Sequence, residues 1–271
     1  MNVVATSGLP LPAASNRSSL GQTLHDTMIM ALRGLMKIRR TPEQLLDVTL
    51  QPIIFTLLFT FIFGGAVAGD VAAYLPLVIP GILVQTVLTG SSATGTQLRE
   101  DMDKGVFDRF RTLPMARIAP LAGALTADIV RYLIAIAMTM LVGGLLGWRP
   151  GGGVAGVAGA VLLLVACAWA LSWIFAFLGV ISRSASGVQG LAFLVLLPLT
   201  FLSNAYVPVD TLPEWLQRFV NINPVTHLIT ALRDLLGQGS FGQEGLLALL
   251  GAAILVAVMA PLTVRVYKTR V

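Results

Sequence analysis

The stretch Arg99-Glu-Asp-Met-Asp-Lys-Gly-Val-Phe-Asp-Arg-Phe-Arg-Thr-Leu-Pro114 sets eight charged residues between two long uncharged runs. A dense polar island of this kind sits in water, so the runs on either side are read as membrane spans and the island as a surface facing a soluble partner. The rest of the chain supports that division. Of its 271 residues, 56% are apolar and only 11% charged, and the mean hydropathy is +0.83. A soluble domain carries about 25% charge, so the composition describes a protein built for lipid.

Uncharged runs locate the spans, because a charge at mid-bilayer costs about 2.5–3.5 kcal/mol on insertion scales. Six runs qualify, at 48–69, 71–98, 132–148, 150–182, 184–209 and 245–264. The third is short and is extended back to about residue 119, which brings Asp128 and Arg131 into it, one turn apart and able to pair at its inner end. A crossing helix needs about 20 residues, so each run holds one span. The fold class is therefore all-α and polytopic, with six transmembrane helices. With both termini cytoplasmic, only Arg149, Arg218 and Arg233 of the 18 basic residues fall outside, while Arg131 is unassigned. That asymmetry sets the orientation.

Three segments complete the plan. Residues 1–20, with Pro10, Pro12 and small polar residues, read as a disordered cytoplasmic tail and lack the pattern of a secretory signal. Residues 21–47 hold an amphipathic helix in the inner interface. Leu24, Met28, Ala31, Leu32 and Leu35 form one face, Asp26, Arg33, Lys37 and Arg40 lie opposite, and Pro42 ends or kinks the helix. The transmembrane domain occupies 48–271, with a cytoplasmic loop at 99–118 and an external region at 204–240. In the external region, Asn223-Pro224 opens a helix and Gly237 is placed at its C-terminal cap. The resulting helix is too short to cross, so short helices dipping into the outer leaflet are expected there, with Tyr206 and Trp215 at headgroup level.

Most chemistries are excluded. The net charge of +5 comes from basic residues that interrupt apolar runs rather than lining a stripe, which fits a membrane surface and not nucleic acid. The two histidines, His25 and His227, have no Cys or carboxylate cluster at metal-ligand spacing, so no metal site is expected. An intramembrane protease pairing Ser91 with His227 lacks the Gly-x-Ser-x-Gly elbow, and His227 reads better as a residue at a helix N-terminus. There is no Gly-x-x-x-x-Gly-Lys-Ser/Thr loop, so ATP-driven work would need a separate subunit. In the charged stretch, Val106, Phe107, Phe110 and Leu113 recur at helical spacing, while Asp108, Arg109 and Arg111 face elsewhere. Aromatics flanked by arginines make this a docking helix rather than a merely solvated loop.

Lys104-Gly-Val-Phe-Asp-Arg-Phe-Arg-Thr-Leu-Pro114 resembles the first cytoplasmic loop, with its coupling helix, of a type-2 ABC exporter membrane subunit. Leu197-Pro-Leu-Thr-Phe-Leu-Ser-Asn-Ala-Tyr-Val-Pro208, Leu212-Pro-Glu-Trp-Leu216 and Asn223-Pro-Val-Thr-His-Leu228 resemble the family's external re-entrant region. With Pro42-Glu-Gln-Leu-Leu46 and Gln51-Pro-Ile-Ile-Phe55, the likeness spans about residues 30–240 and is strongest to the daunorubicin/doxorubicin-resistance permeases. It implies a multi-pass permease of a bacterial plasma membrane, paired with a second permease copy as a homodimer. Two copies of an ATP-binding cassette subunit would bind ATP and magnesium, and this chain would hold no cofactor. The docking surface would comprise Lys104, Val106, Phe107, Asp108, Arg109, Phe110 and Arg111, with Arg33 and Lys37 of the interfacial helix. A path for an amphipathic substrate needs apolar and aromatic walls, which Phe55, Phe59, Phe63, Met138, Phe193 and Phe201 supply; ordinary lipid-facing or packing residues are the plainer reading of each. The cargo expected is an amphipathic drug or natural product, with a lipid or glycolipid precursor as the alternative. An intramembrane hydrolase or an assembly scaffold without a transport cycle are the competing classes.

Overall fold

The computed structural model describes residues 20–40, 42–107, 115 and 118–270. Among these, all regular structure is helical: α1 Leu20–Arg40, α2 Pro42–Ala68, α3 Val71–Asp103, α4 Ala119–Leu145, α5 Gly153–Ile181, α6 Ala185–Phe201, α7 Glu214–Ile222, α8 Pro224–Gln238 and α9 Gln243–Arg270, with a 3-10 turn at Val209–Thr211. Five of them (α2 from Val48, α3, α4, α5 and α9 to Thr269) are long and apolar enough to cross a membrane. α6, at 17 residues, is apolar but shorter. It falls about 5 Å short of a hydrocarbon core roughly 30 Å thick, at about 1.5 Å of rise per residue.

The apolar run at 184–209 therefore does not become one long helix. Pro198 lies in the last turn of α6, where its missing N–H weakens the ladder, and the chain leaves the helix at Leu202. The carbonyls so freed find donors on other elements. Asn223 Nδ2 donates to the Leu199 and Leu202 oxygens at 2.9 and 2.6 Å. Arg233 Nη2 donates to the Asn204 oxygen at 2.6 Å, and also to that of Leu77 in α3 at 2.9 Å, and the Tyr74 hydroxyl of α3 donates to the Tyr206 oxygen at 2.8 Å. Irregular backbone at membrane depth is tolerated only when its polar groups are met in this way.

α3 is the central helix and packs against α2, α4, α5, α6 and α8. Its core side chains, among them Tyr74, Ile79, Ile82 and Leu83, are almost wholly buried. The α3–α5 crossing is backbone on backbone. A Cβ added at Gly95 would collide with the Phe175 carbonyl, and one at Gly179 with the carbonyl of Gly95. Helices in lipid gain little from hiding apolar surface, so small residues that allow close approach carry much of the association. Outward faces are apolar instead: Leu246, Leu250, Ile254 and Val258 form an exposed row on α9, and Phe193, Leu194, Leu197 and Phe201 another on α6. In water such rows would be a liability; against acyl chains they are the solvent-compatible surface.

α8 starts as its sequence specifies, with Asn223 Oδ1 accepting from the Val225 N–H at 2.9 Å and Pro224 at the first helical position. It ends two residues beyond Gly237, at Gly239, whose φ of +70° takes the left-handed conformation that the cap requires. α7 displays Trp215, Phe219 and Ile222 at helical spacing, all strongly exposed, while Val220 is buried. It is a surface helix with an apolar outer stripe.

Candidate functional site

α3 does not stop where the uncharged run stops. It continues to Asp103, so the first charges of the 99–114 stretch belong to a helix end rather than to a loop. Arg99 pairs with Asp103 and Lys104 with Glu100, both one turn apart. Arg99 Nη1 also donates to the Ser182 oxygen at 3.0 Å, tying this end of α3 to the end of α5. Exposed pairs of this type contribute about 0.2–1 kcal/mol each, enough to extend a helix into water but not to fasten a bundle.

The fastening comes from α1. Its face containing Met30, Ala31 and Gly34 lies on α4 so closely that a Cβ at Gly123 would strike Met30, and one at Gly34 would press on Ala127. At the far end of that face, Lys37 Nζ lies 2.9 Å from Asp101 Oδ1, joining α1 to α3. Leu24, Met28, Leu32 and Met36 recur every fourth residue along another side and are exposed. α1 thus has a small-residue seam for the bundle and an apolar stripe left for lipid, with Arg33 also exposed.

Phe107 follows α3 by one turn and is only 5% exposed. Its ring meets Tyr267 of α9 edge-on, with centroids 5.5 Å apart, in a cluster with Leu98, Leu121, Leu125 and Trp173. Val106 is half-buried and Lys104 exposed. The remaining docking candidates, Asp108, Arg109, Phe110 and Arg111, lie outside the described residues. A cavity of about 50 Å³ between α1, α3 and α4 is bordered by Arg33, Lys37, Asp101, Phe107 and Asp128. Proposed docking residues from two elements thus gather at one end of the bundle, around the last turns of α3.

At the opposite end the substrate-path candidates separate into two groups. Phe55, Phe59 and Phe63 stack in a ladder along α2, with centroids 5.7 and 5.5 Å apart. Phe59 lies flat on Tyr206, 4.2 Å away with 10° between planes, and Phe201 tilts against the same ring at 6.0 Å. Tyr206 therefore unites four of the six candidates. Met138 is half-buried on α4, and Phe193 is 65% exposed on the outward face of α6. The sequence placed Tyr206 only at headgroup level; its stacking depends on a contact between residues about 150 positions apart, which no local pattern signals.

Arg233 holds this end together. Burial pushes its pKa down to about 10, with Tyr74 opposing the shift, so the side chain remains charged near neutrality. The Ser91–His227 pairing does not form: His227 Nδ1 lies 2.5 Å from Glu244 Oε2, and the Ser91 hydroxyl donates to the Val87 and Ala168 carbonyls. Among the described residues no group of three His, Cys, Asp or Glu is placed to hold a metal ion.

The arrangement is a helical membrane bundle with charged helix ends at one side and an aromatic ladder at the other. The family model of the ABC-2 type transporter matches residues 25–236. The chain belongs to the ABC-2 type transporter family. It is 44% identical over 259 residues to the daunorubicin resistance ABC transporter permease protein DrrB1 of Streptomyces coeruleorubidus, covering 95% of this chain and 91% of that one. It is 27% identical over 195 residues to the doxorubicin resistance ABC transporter permease protein DrrB of Mycobacterium tuberculosis, covering 69% and 68%. The ABC-2 match takes in α1 from His25 through most of α8, and so includes both ends of the site.

Proposed function

We propose that this ABC-2 chain is the membrane-spanning subunit of an ATP-driven exporter that moves an amphipathic drug or natural product out of a bacterial cell. The observation that carries this reading is the 44% identity to a daunorubicin resistance permease, extending over nearly the whole of both chains. The permease works as a homodimer beside two copies of a separate ATPase, which bind ATP and magnesium. α6 serves as the sixth, short span, α7 and α8 form the external re-entrant hairpin, and both termini are cytoplasmic.

Geometry supplies a route for the coupling. The described part of the proposed docking surface, Lys104 to Phe107 with Arg33 and Lys37, adjoins the ends of the helices it would have to move. Lys37 bears on Asp101 of α3 and Phe107 on Tyr267 of α9, while the seam of α1 grips α4. A displacement of this surface by the ATPase would be passed to three spans as a unit. α3 carries it to the opposite end, where Tyr74 engages Tyr206 directly and Leu77 is bridged by Arg233 to Asn204. The aromatic ladder, which an amphipathic ligand can stack against, is then opened or closed by the same motion.

Replacement of Arg109→Glu or Phe110→Ala is expected to uncouple the complex. The variants should reach the membrane in wild-type amount, while drug export falls by about tenfold or more. Wild-type export and ATPase retention by both variants would remove the docking assignment. A lipid or glycolipid cargo is the second reading, favoured by the exposed apolar rows on α6 and α9, along which an acyl chain can travel.

A further inference from the structure

Arg131 lies on α4 and is 3% exposed. Its Nη1 stands 3.1 Å from Asp128 Oδ1, but not in hydrogen-bonding alignment, and among the described residues none of its three nitrogens has an acceptor. Asp128 is engaged elsewhere, since its Oδ2 accepts from the Thr94 hydroxyl. A guanidinium carries five N–H donors in a fixed fork. Here that fork is buried, held by the charge of Asp128 alone, and without a hydrogen-bonded acceptor among the described residues.

The carboxylate and the guanidinium border different spaces. Asp128 lines the cavity beside α1, whereas Arg131 lines a second cavity of about 50 Å³ between α2, α3 and α4. A buried water needs about 10–15 Å³ of such volume, so this space admits several waters or one tetrahedral oxyanion. Its polar lining consists of Arg131, Gln51, Gln97, Thr86, Thr89 and Tyr132. The two threonine hydroxyls already donate to the Ile82 and Gln85 carbonyls, at 2.7 and 3.0 Å. The protons left to offer a ligand belong to the guanidinium, the two amides and the Tyr132 hydroxyl, and no carboxylate lines the space. This is the wall of a site for an oxygen anion.

We propose that the cavity between α2, α3 and α4 binds the phosphodiester of an anionic phospholipid, with the Arg131 guanidinium as its principal ligand. Two features select a lipid over a free ion. Gln51 lies within a turn of Val48, where the apolar part of α2 begins, so the mouth is at headgroup level. Beyond it, Leu50, Ile54, Leu57 and Phe61 form an exposed row down α2, a track for the acyl chains of a lipid anchored at that mouth. Asp128 is then a positioning residue that holds the fork toward the cavity. The proposal does not depend on what the transporter carries.

The test uses full-length permease in detergent, with phosphatidylglycerol or inorganic phosphate as the probe. Retention is read by native mass spectrometry and stabilisation by the melting temperature. Three variants are compared: Arg131→Lys, the uncharged pair Asp128→Asn with Arg131→Gln, and Ala93→Leu, which fills the cavity and leaves both charges in place. Wild type is expected to retain phosphatidylglycerol and to melt higher with it. The uncharged pair and Ala93→Leu should each lower retention by about tenfold or more, and Arg131→Lys, a point charge without the fork, by less. If the uncharged pair does not fold, Ala93→Leu carries the decision alone. Stabilisation by inorganic phosphate and not by the lipid would overturn the lipid assignment, and equal lipid retention by wild type and Ala93→Leu would overturn the site.

Discussion

Arg233 shows how one side chain sets local structure in this fold. Its guanidinium closes the Asn204 carbonyl, which the break after α6 would leave open, and ties it to the Leu77 carbonyl of α3. Each buried carbonyl stripped of its donor costs about 1–3 kcal/mol. Arg233→Met is therefore expected to lower the melting temperature of the purified permease by several degrees. Tyr74→Phe, which gives up a single hydroxyl bond to Tyr206, should lower it less. Equal melting of Arg233→Met and wild type would show that the loop is held by something else. The glycines behave in the same residue-by-residue way. Gly95→Leu forces a side chain into the Phe175 carbonyl and should abolish folded yield, whereas Gly190→Ala, with open space around it, should be neutral or slightly stabilising.

At the scale of elements, the buried ring of Phe107 and the undescribed Phe110 make a contrast that can be measured. Phe107 packs between α3 and α9, and truncating a buried phenylalanine costs about 3–5 kcal/mol. Phe107→Ala should then destabilise the permease itself, seen as a lower melting temperature without any ATPase present. Phe110→Ala should leave melting unchanged and affect only coupling. Similar melting losses in both variants would mean that the two rings share one structural role. Lys37→Asp should loosen α1 from α3, and Lys37→Asp combined with Asp101→Lys should restore the tie; limited proteolysis of α1 reads the difference, and a failure of the double exchange to recover protection would argue against the clip.

The elements differ in how openly the sequence announced them. Five spans were visible because a charge-free run of sufficient length has few other uses, and Asn223-Pro224 marked the start of α8 through capping chemistry that is local. The Asp128–Arg131 pair was readable from its one-turn spacing, though not that it borders two cavities. The early end of α6 was not readable, because hydropathy continues past Pro198 while the hydrogen bonds that stabilise the break come from Tyr74 of α3, from Asn223 at the cap of α8 and from Arg233 of α8. For the same reason the cap at Gly239 was missed in favour of Gly237: both are glycines, and only the packing of α8 decides which takes positive φ. Phe107 carried the pattern of an exposed anchor, and its burial depends on Tyr267 at the other end of the chain.

On the scale of the whole molecule, the bundle links a charged end to an aromatic end through one central helix. α3 bears Asp101 near its last turn and Tyr74 in its first, so a single helix contacts both ends. The central claim is that ATP hydrolysis by a partner subunit, acting on the first end, drives an amphipathic molecule past the second. The most direct measurement is ATP-dependent drug uptake into inside-out vesicles holding the permease and its ATPase, with daunorubicin as the first compound. Uptake is predicted to require ATP and both subunits, to stimulate hydrolysis, and to collapse in Arg109→Glu while membrane insertion persists. Absence of ATP-dependent movement or of stimulated hydrolysis across a panel of amphipathic drugs and lipids, with both subunits present and folded, would contradict the account.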